Sequence, residues 1–230
     1  MSETLWRVDM HSHTRLSKDS LNKPRLLVET AAARGLGAIC VTDHNALANA
    51  LALAALPDLP IPVVPSEEVK TREGEIIGYF LREAIPKGLS PEETVQRIHD
   101  QGGLTCVPHP FDRARSGSRL QRPALERLVA AGQIDILEVF NARVTYADDN
   151  TAAFAFAQAQ GLAMSAGSDA HTLLEVGRAY VEVPPFAGAA EFLAGLRHAR
   201  VQGRLSSVLI HASSRWATLL KQLNLAATGM

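Results

Sequence analysis

Short runs rich in Val and Ile recur along this chain, and each is followed by a stretch with helical periodicity. The runs end near Met10, Thr42, Glu68, Val107, Phe140, Ala166 and Val183. Pro24 suits the first turn of a helix that Gly35 can end, and Ser90-Pro91-Glu92-Glu93 is a capping box whose helix closes at Gly102-Gly103. Similar punctuation predicts helices over Pro123 to Ala131, Asp148 to Gln160 and Ala187 to Arg200. The run from Glu75 to Leu81 follows Arg72-Glu73-Gly74 and reads as the return strand of a hairpin. Strands separated by helices pair in parallel, and seven such units within 230 residues suggest a closed or nearly closed α/β barrel in a single domain spanning 1–230. A doubly wound open sheet is the alternative. The stretch 207–225 is expected to form a last amphipathic helix packed on the outside.

A chain that is 47% hydrophobic with a net charge of −1 is not intrinsically disordered. The same balance argues against a surface built throughout to attract nucleic acid or a membrane. Cys40 and Cys106 both sit in apolar strand-like runs and read as buried thiols of a reducing compartment. Trp6 to Met10 is followed at once by His and polar residues, unlike a signal peptide, and the Ala/Leu-rich stretch Ala46 to Leu56 is too short to span a bilayer. The expected location is the cytoplasm.

Of eight histidines, five fall just past predicted strands: His11 and His13 after the first, His44 after the second, His109 and His171 further along. In a parallel α/β barrel the carboxyl ends of the strands open on one face, so these five converge on one mouth. Asp9, Asp19, Asp43, Glu67, Glu68, Glu138 and Asp169 gather at the same edge. Any one of these alone reads as a cap or a loop hydrogen bond. His11 and His13 are two apart in an extended segment, so they point the same way and can grip one ion; Asp169-Ala170-His171 repeats that spacing. Imidazole with carboxylate suits Zn, Mn or Fe, and the absence of Cys argues against a closed structural zinc site. His99, His198 and His211 lie in helical patterns and are explained by packing.

Together these residues resemble the polymerase and histidinol phosphatase (PHP) family of metal-dependent phosphoesterases. The resemblance rests on Asp9-Met10-His11-Ser12-His13-Thr14, Thr42-Asp43-His44, Pro65-Ser66-Glu67-Glu68-Val69, Pro108-His109-Pro110-Phe111 and Gly167-Ser168-Asp169-Ala170-His171, in that order. It implies a distorted (β/α)7 barrel holding two or three divalent metal ions. The first would be held by His11, His13, Glu68 and Asp169. Asp19, His44 and His171 would hold the second, and Glu68 would bridge to a third, which His109 also holds. The chain departs from the family where a His usually stands on the return strand: Glu75-Ile76-Ile77-Gly78-Tyr79 has Glu at that place. Ligation by Glu75 would favour Mn or Fe over Zn. A weak or empty third site is the other outcome.

Ions placed close together lower the pKa of a shared water and neutralise phosphoryl oxygens, so the expected chemistry is hydrolysis of a phosphomonoester or phosphodiester. The expected substrate is a small phosphorylated metabolite or nucleotide. Arg presents a fork that matches phosphate oxygens. Arg113 and Arg143 lead among the cations near the mouth, followed by Lys18 and Arg178, with Arg15 and Arg115 also in range. No residue identifies itself as general acid. Competing readings are a nuclease acting at oligonucleotide ends, disfavoured because aromatics make up only 5% of the chain, an amidohydrolase, and a non-catalytic barrel that binds a partner. Oligomeric state is not legible.

Overall fold

The computed structural model describes residues 5–207 and 210–223. Three strands open the sheet in parallel: β1 (Trp6–Asp9), β2 (Ala38–His44) and β3 (Val63–Thr71). β4 (Gly74–Tyr79) turns back antiparallel between β3 and β5 (Leu104–Val107), after which β6 (Ile136–Asn141) and β7 (Ala163–Gly167) resume the parallel order. Beyond β1 the chain closes on the far edge of the sheet. Met10 N donates to Ala166 O (3.1 Å), Asp169 N to His11 O (2.8 Å) and His13 N to Ala170 O (3.0 Å). β1 to β7 therefore form a seven-stave barrel in which β4 is the antiparallel stave.

The strand expected to end at Val183 is not one of the parallel staves. β8 (Ala179–Val183) runs antiparallel to β1, and β9 (Arg200–Gly203) runs antiparallel to β8. Its burial pattern explains the difference, because β8 alternates buried and half-buried positions whereas β2 is buried almost throughout. Continuous burial marks a strand covered on both faces, and alternation marks one with a wetter side. Residues of β2 divide accordingly: Ala38 and Cys40 join one cluster with Val8, Met10, Tyr79 and Cys106, while Ile39 and Val41 join another with Leu27, Val28, Ala50 and Leu53. Both cysteines are buried and free.

Five helices connect the staves, α1 (Pro24–Ala33), α2 (Ala48–Ala54), α3 (Pro91–Asp100), α4 (Arg122–Ala130) and α5 (Ala147–Gln160), and α6 (Ala189–Leu196) connects β8 to β9. The capping box of α3 is formed, with Glu93 N donating to Ser90 Oγ (3.2 Å) and Ser90 N to Glu93 Oε2 (2.9 Å). α6 ends at Leu196, short of the expected Arg200, because Arg200 to Gly203 pair with β8 as an exposed edge strand. The last helix, α7 (Ile210–Gln222), reaches the mouth. Lys221 Nζ donates to the carbonyls of Arg15 and Ser17, and Ser214 Oγ accepts from Arg143 Nη2 (2.9 Å), which seats α7 at the rim. Positions 208, 209, 224 and 225 of the expected helix lie outside the described residues. No helix among the described residues is long and apolar enough to cross a membrane.

One ion pair far from the mouth supports a pH-dependent stability test. His99 Nε2 on α3 lies 2.9 Å from Asp135 Oδ2, and the hydrogen bond to Asp135 raises the His99 pKa above its ordinary 6.5. A raised histidine pKa contributes stability that is full below the unfolded value and is lost as pH rises through the folded one. His99→Ala should cost up to about 1 kcal/mol at pH 6, allowing for solvent screening, and less at pH 9. Urea unfolding at the two pH values checks this; an equal loss at both would contradict it.

Candidate metal centre

The scaffold of the mouth is built by carboxylates that face away from it. Asp43 holds the loop after β1, accepting from Thr14 N (2.8 Å), Thr14 Oγ1 (2.5 Å) and Ser17 Oγ (2.5 Å). Asp9 accepts from Ser168 N (2.9 Å) and Oγ (2.5 Å) and from Gly177 N (2.8 Å), locking the loop after β7. Glu67 accepts from Ile85 N (2.9 Å). Three carboxylates of the seven that the sequence places at this edge thus hold backbone.

The histidines are oriented by what their Nδ1 atoms meet. His11 Nδ1 donates to Glu138 Oε1 (3.0 Å), and His171 Nδ1 donates to the Asp169 carbonyl (2.8 Å). His13 Nδ1 lies 3.2 Å from Ser17 Oγ, whose proton is already given to Asp43, so the imidazole is the donor there too. In all three rings Nδ1 is the donor and Nε2 is turned toward the cluster, the arrangement that outer hydrogen bonds impose on metal-ligating imidazoles.

These nitrogens converge. His11 Nε2 and His13 Nε2 are 3.1 Å apart, and Asp169 Oδ1 lies 3.7 Å from the first and 3.3 Å from the second. Glu68 Oε2 is 3.4 Å from His11 Nε2 and 3.5 Å from His13 Nε2. Asp19 reaches His171 Nε2 with Oδ2 (3.2 Å) and His44 Nε2 with Oδ1 (3.8 Å). On the other side, Glu68 Oε1 is 3.1 Å from His109 Nε2, and Glu75 Oε2 is 3.8 Å from the same nitrogen. Three groups able to hold an ion follow: His11, His13 and Asp169; His13, His44 and His171; Glu68, Glu75 and His109. Glu68 lies among all three. Glu75, the residue that departs from the family pattern, is buried beside Glu68 and His109.

The donor chemistry fits divalent cations. His11 Nε2 and His13 Nε2 face each other, and Asp169 Oδ1 and Asp19 Oδ1 are buried without a hydrogen-bond partner. A cation satisfies all four. Burial, with His171 and His44 alongside, pushes His13 down to about 3, which keeps its lone pair available. Burial and the Glu68 charge push Glu75 up to about 7, a repulsion that a cation between the carboxylates removes. Burial opposes charge on Glu68, yet His44, His11 and His109 together hold its carboxyl well below the usual range.

The backbone is bent to serve this geometry. His109 and Asp169 adopt left-handed φ values of 33° and 52°, and His109 N is secured by Glu138 Oε2 at 2.7 Å. Residues with a Cβ at such angles cost of order 1–3 kcal/mol and cluster at functional sites.

A cavity of about 930 Å³ opens above the cluster, bordered by Lys18, Lys70, Lys87, Arg115, Arg143 and Arg215. Lys18 is where the sequence placed it. Arg143 is buried and lines the cavity, but its guanidinium is committed to Glu175 (3.4 Å), the Asp169 carbonyl (3.4 Å) and Ser214 (2.9 Å). Arg113 does not belong to the cavity. It turns outward, binds Asp149 at 2.7 Å and lies over the Tyr146 ring. Arg115, two residues on, takes the inner place, with Nη1 on Asp169 Oδ2 (2.5 Å) and Nε on Asp112 (3.2 Å). Arg178 lies in a different cleft. The strand and helix pattern of the sequence does not single out Lys70, Lys87 or Arg215; Arg215 arrives only because α7 folds over the rim.

The PHP domain model matches residues 9–79, and the PHP-associated model matches residues 147–201. An uncharacterized protein of Methanocaldococcus jannaschii is 38% identical over 177 residues, covering 76% of this chain and 70% of its own length. A second uncharacterized protein of that organism is 37% identical over 147 residues, covering 59% of this chain and 82% of its own length. Among solved structures, a two-domain protein of Bacteroides vulgatus containing a predicted PHP-like metal-dependent phosphoesterase superposes with a TM-score of 0.72 at 19% identity. That match covers 88% of this chain and 66% of the other, and it establishes likeness of fold.

Proposed function

This chain belongs to the PHP family, and from that premise we propose that it hydrolyses a phosphoester bond of a small phosphorylated metabolite or nucleotide. The observation that carries the reading is the convergence of three ligand groups on Glu68 and His13 beneath a cavity rimmed by six cationic side chains. His11, His13, Glu68 and Asp169 would hold one ion, Asp19, His44 and His171 a second, and Glu68, Glu75 and His109 a third. Such ions, when bound, bring the pKa of water toward neutrality and neutralise phosphoryl oxygens.

The chain itself supplies orientation and charge. Arg115 is anchored by Asp112 and Asp169, so its guanidinium is fixed at the cavity wall, where a phosphoryl oxygen can meet it without further ordering. Lys18, Lys70, Lys87 and Arg215 add positive charge around the opening. Glu138 sets the His11 ring and the His109 backbone with its two oxygens. Among the described residues the lining contains no Phe, Trp or Tyr, which favours a compact phosphate-bearing substrate over a strand of stacked bases.

A panel of phosphomonoesters, phosphodiesters and short oligonucleotides, tested on Mn-reconstituted protein, examines this directly. Turnover of a small phosphoester supports the proposal, whereas preference for oligonucleotide ends or inactivity across the panel overturns it. Glu75→Gln should remove one bound ion and weaken substrate binding roughly tenfold while the others remain. Unchanged metal content and kinetics in that variant would make Glu75 an ordinary hairpin residue.

A further inference from the structure

Arg178 points to a second site outside the mouth. A cleft of about 520 Å³ is lined by Arg7, Arg34, Arg178 and Arg204, together with Tyr180, and no Asp or Glu among the described residues borders it. The four arginines come from separate parts of the fold: β1, the end of α1, the residue before β8 and the residue after β9. Folding therefore brings together four like charges that are distant in sequence, which is unfavourable unless something of opposite sign is met there.

The cleft is held open by its own hydrogen bonds. Arg34 Nη1 donates to the carbonyls of Leu174 and Val176, and Arg178 Nη1 to Leu205 O (3.4 Å). Arg204 N donates to Arg178 O (2.9 Å), which ties the two arginine-bearing segments together. Arg7 rests over the Tyr180 ring and reaches Glu182 at 3.4 Å, the one carboxylate paired with the group among the described residues. Arg178 Nε is buried with no hydrogen-bond partner. A buried donor left unmade costs free energy that an incoming acceptor recovers.

We propose that this cleft binds the phosphoryl end of a small metabolite. Guanidinium forks match phosphoryl oxygens, and the volume, within the range of small-molecule pockets, leaves room for an organic body beyond the phosphate. The proposal does not depend on the activity of the metal centre, which lies in a separate cavity.

Calorimetric titration of the metal-loaded full chain with inorganic phosphate and with pyrophosphate tests it, alongside Arg204→Glu and the milder Arg204→Gln. Arg204 is exposed and has no role at the metal centre, so neither variant should alter phosphoester turnover. The expected result is an anion-binding event that weakens at least about tenfold in Arg204→Glu, and less in Arg204→Gln, with turnover unchanged. Binding that is absent in the unaltered chain, or that persists undiminished in both variants, overturns the proposal.

Discussion

Asp169→Asn should lower phosphoester hydrolysis on the order of a thousandfold, equivalent to about 4 kcal/mol of transition-state stabilisation. The substitution is nearly isosteric, so the fold should persist while the charge is lost. Asp169 faces His11 and His13 with one oxygen, while the other accepts from Arg115 (2.5 Å) and from Asn141 Nδ2 (3.2 Å). Removing its charge therefore weakens an ion site and loosens the arginine at the cavity wall together. His99→Ala and His198→Ala serve as controls, since neither residue lines the mouth. Equal losses in the controls, with all variants folded, would place the active site elsewhere.

Gly167→Ala should destabilise the protein by about 3 kcal/mol or more, because there is no room for a methyl group. A Cβ at Gly167 would lie 2.2 Å from His11 Cβ and 2.9 Å from both Glu138 Oε1 and the His11 backbone nitrogen. The close approach exists because β7 and the continuation of β1 pair here to close the barrel and bring Asp169 to His11. Relief would require moving the His11 backbone, so the variant should also lose metal affinity. Gly188→Ala is the control, with nothing within 4 Å of the added carbon. Thermal unfolding checks both; a Gly167→Ala protein as stable as the control would refute the packing account.

The metal-binding candidates were legible because ligation demands particular side chains at particular places. His11, His13, His44, Glu68, His109, Asp169 and His171 were visible as strand-end residues whose types repeat too often for capping alone. The phosphate-facing cations were less legible, for a geometric reason. Arg113 and Arg115 occupy one short 3-10 turn, where successive side chains point about 120° apart. One faces Asp149 and the other Asp169, and composition cannot distinguish them. The place of Arg178 in the chain does not tell it apart from a residue of the mouth, because it stands near the carboxyl end of β1, just before the antiparallel strand β8. Its alternation, Ala179-Tyr180-Val181-Glu182-Val183, carried a signal of a half-exposed strand. The position of α7 had no comparable local signal, since an amphipathic helix shows that it packs but not against what.

Elemental analysis of the gently purified chain, supplied with Mn, Fe or Zn, tests the central claim most directly. Two to three ions per chain, about one fewer in Asp169→Asn and in Glu75→Gln, is the predicted result. Fewer than about one ion per chain after every metal has been offered would contradict it, because the converging histidine and carboxylate side chains would then be hydrogen-bonded core rather than ligands.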